Sequence, residues 1–340
     1  MARQRANATL ADVANLAGVS LSTASKALNA RAEVAALTRE RVLKAAEELS
    51  FQPNALAQGL ISGQTRTVGL LTDELMVARF AIPVLLGAEN ALGSEEMSVL
   101  LCDARGDAIR RRHYIRALIA RRVDGFIVLG DGNEVRPSLS EEIPVPVVYV
   151  YCESDDPDDV SILADDAGGA RLAAEHLISL GRRRIAHLSG DPSYRAAQDR
   201  ATAFEQALDE AGLPLVGGSR FGQWSQRWGR QGVVSLLAAH PDVDAIFCGS
   251  DQIAYGVTEA LRELGREIPD DIAVVGYDNW EAFAAESRPS LTTVDVNLER
   301  LGAAAVGHLF AALDGNPSRG VVRQPCRLVL RESTGVARSR

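Results

Sequence analysis

The sequence predicts an all-helical head followed by a large α/β body. Apolar residues recur at helical spacing from Leu10 to Leu49, with no strand-like run among them. From Thr67 onward, short apolar runs alternate with amphipathic stretches, the pattern of parallel sheets with buried central strands. The charge divides at the same place. Residues 1–66 carry eight Lys/Arg and five Asp/Glu, a net of +3, which leaves −12 for the rest of a chain whose total is −9. A basic head on an acidic body suits a head that meets a polyanion and a body that does not.

The first elements lie in Thr9 to Asn29, TLADVANLAGVSLSTASKALN. Thr9 is placed to cap a helix, and Asp12 three residues on favours its exposed N–H groups. Leu10, Val13, Ala14 and Ala17 form one apolar face. Gly18 stands where a helix ends in a left-handed residue. Ser20 then caps a second helix with Ala24, Ala27 and Leu28 on its inner side. Small contact residues suit two short helices crossing steeply. This is the outline of a helix-turn-helix, whose second helix enters the major groove. Leu21, Ser22 and Lys26 project away from the apolar side. On spacing alone, a helical hairpin within an ordinary core fits equally well. A third helix, TRERVLKAAEELS, is expected with Thr38 as its cap. Val42, Leu43, Ala46 and Leu49 are its expected inner face, and Phe51 closes the core. These helices make a head over residues 1–52.

Residues 53–66 begin PNALAQGLISGQT. Asn54, Ala57 and Leu60 share one side of a helical turn, but the segment is short and Gly59 weakens it. It reads either as a tether or as a helix that forms only when docked, with Leu60 as an exposed apolar wedge.

The body, residues 67–340, opens with the strand TVGLLTD, the helix Phe80 to Leu92, the strand SVLLCDA and the helix Ala108 to Ala120. VDGFIVLG, VPVVYVYC and VSILADD follow as strands. Gly168 to Leu180 is a helix, RRIAHLSGD a strand and Asp199 to Ala211 a helix. Gln231 to Ala239 is a helix, VDAIFCGSD a strand, Ile253 to Leu264 a helix and DIAVVGYDN a strand. There are too many strands for one compact sheet. Two Rossmann-like α/β subdomains fit better, one spanning about 67–164 and 295–324, the other about 165–292 and 325–340. Ligands of such sheets bind beyond the carboxyl ends of the strands. Thr72, Asp73, Gly130, Asp191, Asp251 and Asp278 stand there, a set rich in carboxylates. A cleft with acids, an arginine and aromatics suits a neutral polyhydroxylated ligand.

With these motifs in hand, the chain resembles the lactose repressor family of bacterial transcription regulators over nearly its whole length. The head motif above continues as LTRERVLKAAEELSFQPNALAQGL. The body matches at VDGFIVLG, HLISLGRRRIAHLSG, SDQIAYGVTEALRELGREIPDDIAVVGYDN, LTTV and LVLRESTG. The resemblance implies a homodimeric, cytoplasmic repressor with subdomains of periplasmic-binding-protein type that clasp an effector, expected to be a sugar. It implies a palindromic operator read in the major groove by Leu21, Ser22 and Lys26. Thr9, Ser20, Thr23, Ser25 and Asn29 would hold the backbone, and Asn54, Ala57 and Leu60 the minor groove. Effector contacts would fall on Phe80, Arg200, Trp224, Asp251 and Asp278. Lys26 stands where arginine is frequent, which favours a single-point contact over bidentate guanine readout. Ala57-Gln58 stands where Ala-Arg is common, and Ser250-Asp251 where Asn-Asp is.

Other classes fit less well. A secreted sugar receptor would share the body, but MARQRANATLADV lacks the apolar stretch of a secretory signal, and such a receptor has no use for the head. A nicotinamide enzyme needs a glycine fingerprint, and Gly130-Asp131-Gly132 has Val135 where the third glycine belongs. Five scattered histidines offer no dyad for a hydrolase, so an enzyme is not expected. Cys102, Cys152, Cys248 and Cys326 lack metal-ligand spacing, so neither metal nor cofactor is expected. No apolar run is long enough to span a membrane. The tail GVARSR carries no leucine heptads for a tetrameric coiled coil.

Overall fold

The computed structural model of the chain describes residues 8–28, 34–51, 65–73, 78–93, 97–130 and 134–335. It separates into two compact units, Met1–Thr65 and Arg66–Arg340.

In the first unit, α1 (Leu10–Ala17) opens with a reciprocal cap. The Asp12 amide donates to Thr9 Oγ1 at 3.3 Å, and the Thr9 amide donates to Asp12 Oδ2 at 2.9 Å. Gly18 ends the helix at φ 63°, a conformation that costs glycine nothing. The Ser20 hydroxyl then accepts from the Thr23 amide at 3.1 Å and starts α2 (Leu21–Leu28). Val13, Ala14 and Ala17 bury against Ala24 and Ala27 of α2 and against Val42, Ala45 and Ala46 of α3 (Ala36–Glu48). Leu10, Val19, Leu28, Leu49 and Phe51 ring this core.

Two expectations for α3 fail. The helix starts at Ala36 behind Ala35, without any side-chain cap, so Thr38 lies inside the first turn. Leu43 is 50% exposed. The inner stripe runs through Val42, Ala45, Ala46 and Leu49, spaced at three, four and seven residues, and Leu43 sits one residue off it.

The second unit begins with β1 (Thr67–Thr72), α4 (Ala78–Gly93), β2 (Ser98–Asp103), α5 (Ala108–Ala120), β3 (Gly125–Leu129) and β4 (Val135–Arg136). Then come β5 (Val147–Val150), β6 (Glu153–Ser154), β7 (Val160–Ala164), α6 (Asp166–Ser179), β8 (Ile185–Leu188), α7 (Arg195–Glu210), β9 (Ser219–Arg220) and α8 (Gln226–Ala239). The last are β10 (Ala245–Cys248), α9 (Asp251–Glu263), β11 (Ala273–Tyr277), α10 (Glu281–Ala284), β12 (Thr292–Asp295), α11 (Leu298–Leu313), β13 (Gly320–Gln324) and β14 (Arg327–Val329).

The strands form two six-stranded sheets. The first has the order β13-β7-β5-β3-β1-β2 and is parallel throughout, with Thr67 opposite Ser98 and Val68 opposite Gly125. The second has the order β14-β12-β11-β10-β8-β9 and is parallel except for β14. The chain passes between the sheets three times, at 164–166, 295–298 and 324–327. Central strands such as GFIVL and AVVGY are wholly buried, whereas β2, at an edge, is largely exposed. The helix α11, on returning from the second sheet, packs on α4 and on the buried face of the first sheet. The small pair β4–β6 stands apart from both sheets. Among the described residues, no helix is long and apolar enough to cross a membrane.

Candidate functional site

Two surfaces gather the residues singled out above. On the head, Leu21 is 54% exposed, and Ser22 and Lys26 are exposed beside it on α2. Thr23 and Ser25 are half-buried, and the Ser20 hydroxyl lies within 2.9 Å of that of Ser22 and 2.8 Å of that of Thr23. Exposed side chains and hydroxyls at a helix N-terminus are what a groove-reading helix presents to bases and phosphates. Asn29, Asn54, Ala57 and Leu60 lie outside the described residues.

In the body, the carboxyl end of the second sheet builds a charged floor. The helix α7 starts at Arg195 rather than Asp199, because Tyr194 precedes it without a side-chain cap that would mark the start. Arg200 therefore sits in the second turn, 3% exposed. Its Nε donates to Asp166 Oδ1 at 2.7 Å and its Nη1 donates to the Gly249 carbonyl at 2.7 Å. The same Nη1 lies 3.7 Å from Asp278 Oδ1. The guanidinium stacks 3.7 Å from the centre of the Tyr277 ring and 5.9 Å from that of Trp224. Burial disfavours the cation, but the surrounding Asp166 and Asp278 carboxylates outweigh it and hold the guanidinium above its ordinary pKa. Asp278 directly follows β11 in a left-handed conformation, φ 101°, and is 8% exposed.

Aromatic rings wall this floor. Trp224 lies in the loop ahead of α8, whose N-cap is Ser225, and meets Tyr194 edge-on with centroids 6.1 Å apart. The indole lies against the backbone of Gly190, where an added Cβ would stand 2.2 Å from its ring. In the first half of the body, Phe80 at the start of α4 is buried and packs on Tyr151 at 5.4 Å.

Asp251 sits differently from Arg200 and Asp278. It is the first residue of α9 and wholly buried. Its Oδ2 accepts from the Trp280 amide at 2.6 Å and its Oδ1 accepts from Thr293 Oγ1 at 2.5 Å. Burial first, and then the nearby Asp278 charge, push its carboxyl well above the usual range. Each oxygen thus has a protein partner, and these two bonds tie Asp251 to the turn that carries Asp278, Asn279 and Trp280.

Three partners escape a reading of the sequence alone. Tyr277 ends an apolar strand and reads as core. Asp166 reads as a helix-start residue. Tyr151 ends the run VVYVY and likewise reads as core. Beneath Arg200 lies a further buried group, His187 on β8. Its ring stacks on Phe247 at 4.9 Å and meets Phe204 at 5.5 Å, and Nδ1 lies 2.9 Å from the Ser219 hydroxyl. Burial, and then the Arg200 charge, lower its pKa to about 3. No cluster of three metal-ligating side chains occurs among the described residues.

The arrangement offers a donor and an acceptor side by side under an indole, at the strand ends of a two-part α/β body. Comparison with known proteins places that body and the head together. Residues 9–54 match the model of bacterial regulatory proteins of the lacI family, and residues 174–334 match a periplasmic binding protein-like domain. The chain is 32% identical over 330 residues to the HTH-type transcriptional repressor PurR of Aliivibrio salmonicida, covering 96% of this chain and 98% of the relative. It is 33% identical over 341 residues to the PurR of Aliivibrio fischeri, covering 96% and 98%. The lac repressor dimer bound to operator and the anti-inducer ONPF superposes with a TM-score of 0.74 at 29% identity, covering 97% of this chain and 99% of that one. A complex of the transcriptional regulator CelR with cellobiose gives a TM-score of 0.65 at 30% identity, covering 96% and 99%. These relatives are regulators and not enzymes, and the chain belongs to the lacI family of bacterial regulatory proteins as a DNA-binding transcriptional repressor.

Proposed function

We propose that a small sugar binds between the two α/β halves of the body and sets the affinity of the head for a palindromic operator, which the chain meets as a homodimer. The observation that carries the ligand reading is the pairing of Arg200 and Asp278 at 3.7 Å beside Trp224. Adjacent hydroxyls of a sugar take a donor and an acceptor from such a pair, and the indole covers the C–H face of the ring. The cellobiose complex of a structural neighbour supports this choice.

On the head, Leu21, Ser22 and Lys26 read base edges. Thr9, Ser20, Thr23, Ser25 and Asn29 hold phosphates, and Asn54, Ala57 and Leu60 engage the minor groove, with Leu60 as the wedge. The exposed apolar residues Ile82 and Leu86 of α4 and Leu100 and Leu101 of β2 form the surface for the second copy.

A flat heteroaromatic ligand is the second reading. It is favoured by the two aromatic pairs, Phe80–Tyr151 and Tyr194–Trp224, which would stack on its faces. Calorimetry on the full chain with a sugar panel and a nucleobase panel decides between them. The best sugar should bind at least tenfold more weakly to Asp278→Asn, and saturating operator duplex should shift its affinity by the same factor as the sugar shifts operator affinity. Binding confined to nucleobases replaces the sugar with the flat ligand. Binding unaffected by Asp278→Asn moves the site elsewhere.

A further inference from the structure

The two halves of the body meet in a polar contact outside the three crossovers. Glu134 and Glu153 belong to the first half and sit side by side, because the Glu153 amide donates to the Glu134 carbonyl at 2.9 Å as the β4–β6 pair begins. Arg195 belongs to the second half and opens α7. Its Nη1 donates to Glu153 Oε2 at 2.6 Å, and its backbone amide donates to Glu134 Oε1 at 2.8 Å. One carboxylate thus grips the side chain, and the other satisfies an otherwise unpaired N–H of the helix and faces the positive end of its dipole. The Arg195 side chain is 35% exposed and that of Glu153 22%, so salt and water reach the contact.

We propose that Glu134, Glu153 and Arg195 form a latch that closes the two halves of the ligand-free body, so that an effector works with or against it. Separating the halves must break both bonds, because they bridge a ribbon of one half and a helix of the other. Tyr194, which meets Trp224, directly precedes Arg195, so the latch sits beside one wall of the candidate effector site. This extends the reading of an effector between the halves, yet it concerns an equilibrium that exists without any ligand. The latch weights the open and closed states, and an effector can shift that balance only by its differential affinity for the two.

The test is amide exchange on the ligand-free full chain. Wild type, Glu153→Gln, Arg195→Ala and the exchanged pair Arg195→Glu with Glu153→Arg are compared, with thermal melts to confirm folding. A latch predicts that both single variants speed exchange at Gly222–Ser225 and Asp278–Trp280, away from the substituted residues, by about threefold to tenfold. High salt should do the same to wild type, and the exchanged pair should restore protection. Exchange at these segments within twofold of wild type in both single variants overturns the proposal, as does an exchanged pair no better protected than the singles. The effector reading fails separately. Faster exchange in the singles with no sugar or nucleobase bound by wild type keeps the latch and removes the effector, and ligand binding with unchanged exchange does the reverse.

Discussion

Lys26 and His187 show how differently single residues of this chain can be read. Lys26 stands exposed on α2, and the proposal that it reads a base rests on that position. If it reads a base, Lys26→Ala should cost about 1–3 kcal/mol on the cognate operator and little on scrambled duplex, measured by fluorescence anisotropy. Equal losses on both duplexes would make it a phosphate contact. His187 could not be read in this way, since IAHL looks like any buried strand and its partners Ser219, Phe204 and Phe247 come from three other elements. Its folded pKa is about 3, against about 6.5 for a free imidazole. The unfolded chain therefore takes up a proton as pH falls through 6.5, while the folded chain stays neutral. The contribution is complete above pH 6.5 and is lost progressively toward pH 3, at up to about 1.4 kcal/mol per pH unit. His187→Phe keeps the ring stack and should flatten the fall in stability between pH 6 and 4, read from denaturant midpoints. An unchanged slope would assign the proton uptake to another group. Asp278 was legible as a strand-end residue because it directly follows the apolar run AVVGY, whereas Arg200, within α7, was singled out only through the family resemblance. The inward commitment of Asp251 was not legible, because it depends on Thr293 and Trp280, 42 and 29 residues away.

At the level of elements, the helix periods were legible and several starts were not. Starts with side-chain caps at Thr9 and Ser20 agree with the spacing, but that of α8, capped by Ser225, lies at Gln226, five residues ahead of the expected Gln231. Those of α3 and α7 follow Ala35 and Tyr194, which offer no side-chain cap, so nothing in the sequence announces them. The close pairing of helices is also hidden in single glycines. A Cβ on Gly87 of α4 would stand 1.9 Å from the Glu299 carbonyl oxygen of α11, and one on Gly302 of α11 would stand 2.0 Å from that of Val84. The second half repeats the device between α8 and α9, where a Cβ on Gly229 or Gly256 would meet the Ile253 or Gln226 carbonyl at 2.2 and 2.1 Å. Each pair brings two helix backbones into contact over a sheet, and the obstacle is backbone that cannot swing aside. Gly302→Val should therefore lower unfolding stability by about 1–3 kcal/mol or more, as overpacking does, by forcing α4 and α11 apart. Gly307, on the same helix with open space at its Cβ position, is the control, and Gly307→Ala should be neutral or stabilising. Equal effects at the two sites would refute the close-contact account.

For the whole molecule, the strongest remaining signal is the apolar surface of the first sheet's open edge. Ile82 and Leu86 lie four residues apart on α4 and are about half exposed, and Leu100 and Leu101, on opposite faces of the adjoining edge strand β2, are each more than one-third exposed. An uncovered edge strand beside an apolar helix invites pairing, and proteins usually charge or cover such edges. Here no charged residue interrupts SVLLC. A second copy covering α4 and β2 by a two-fold axis would bury the patch against itself, and a stable dimer needs about 800 Å² from each partner. Two heads would then act on one palindrome, and the second head would bind at an effective concentration set by the dimer. Leu86→Glu places a charge in the centre of that surface while leaving the inward face of α4, Val84 and Ala88, intact. It should sediment as a monomer at micromolar concentration with an unchanged melting profile of secondary structure. Its affinity for the full palindrome should fall by about 10²–10⁴ while its affinity for an isolated half-site stays the same. A variant that still sediments as a dimer puts the interface elsewhere, and a monomer that keeps full affinity for the palindrome removes the link between dimerisation and operator reading.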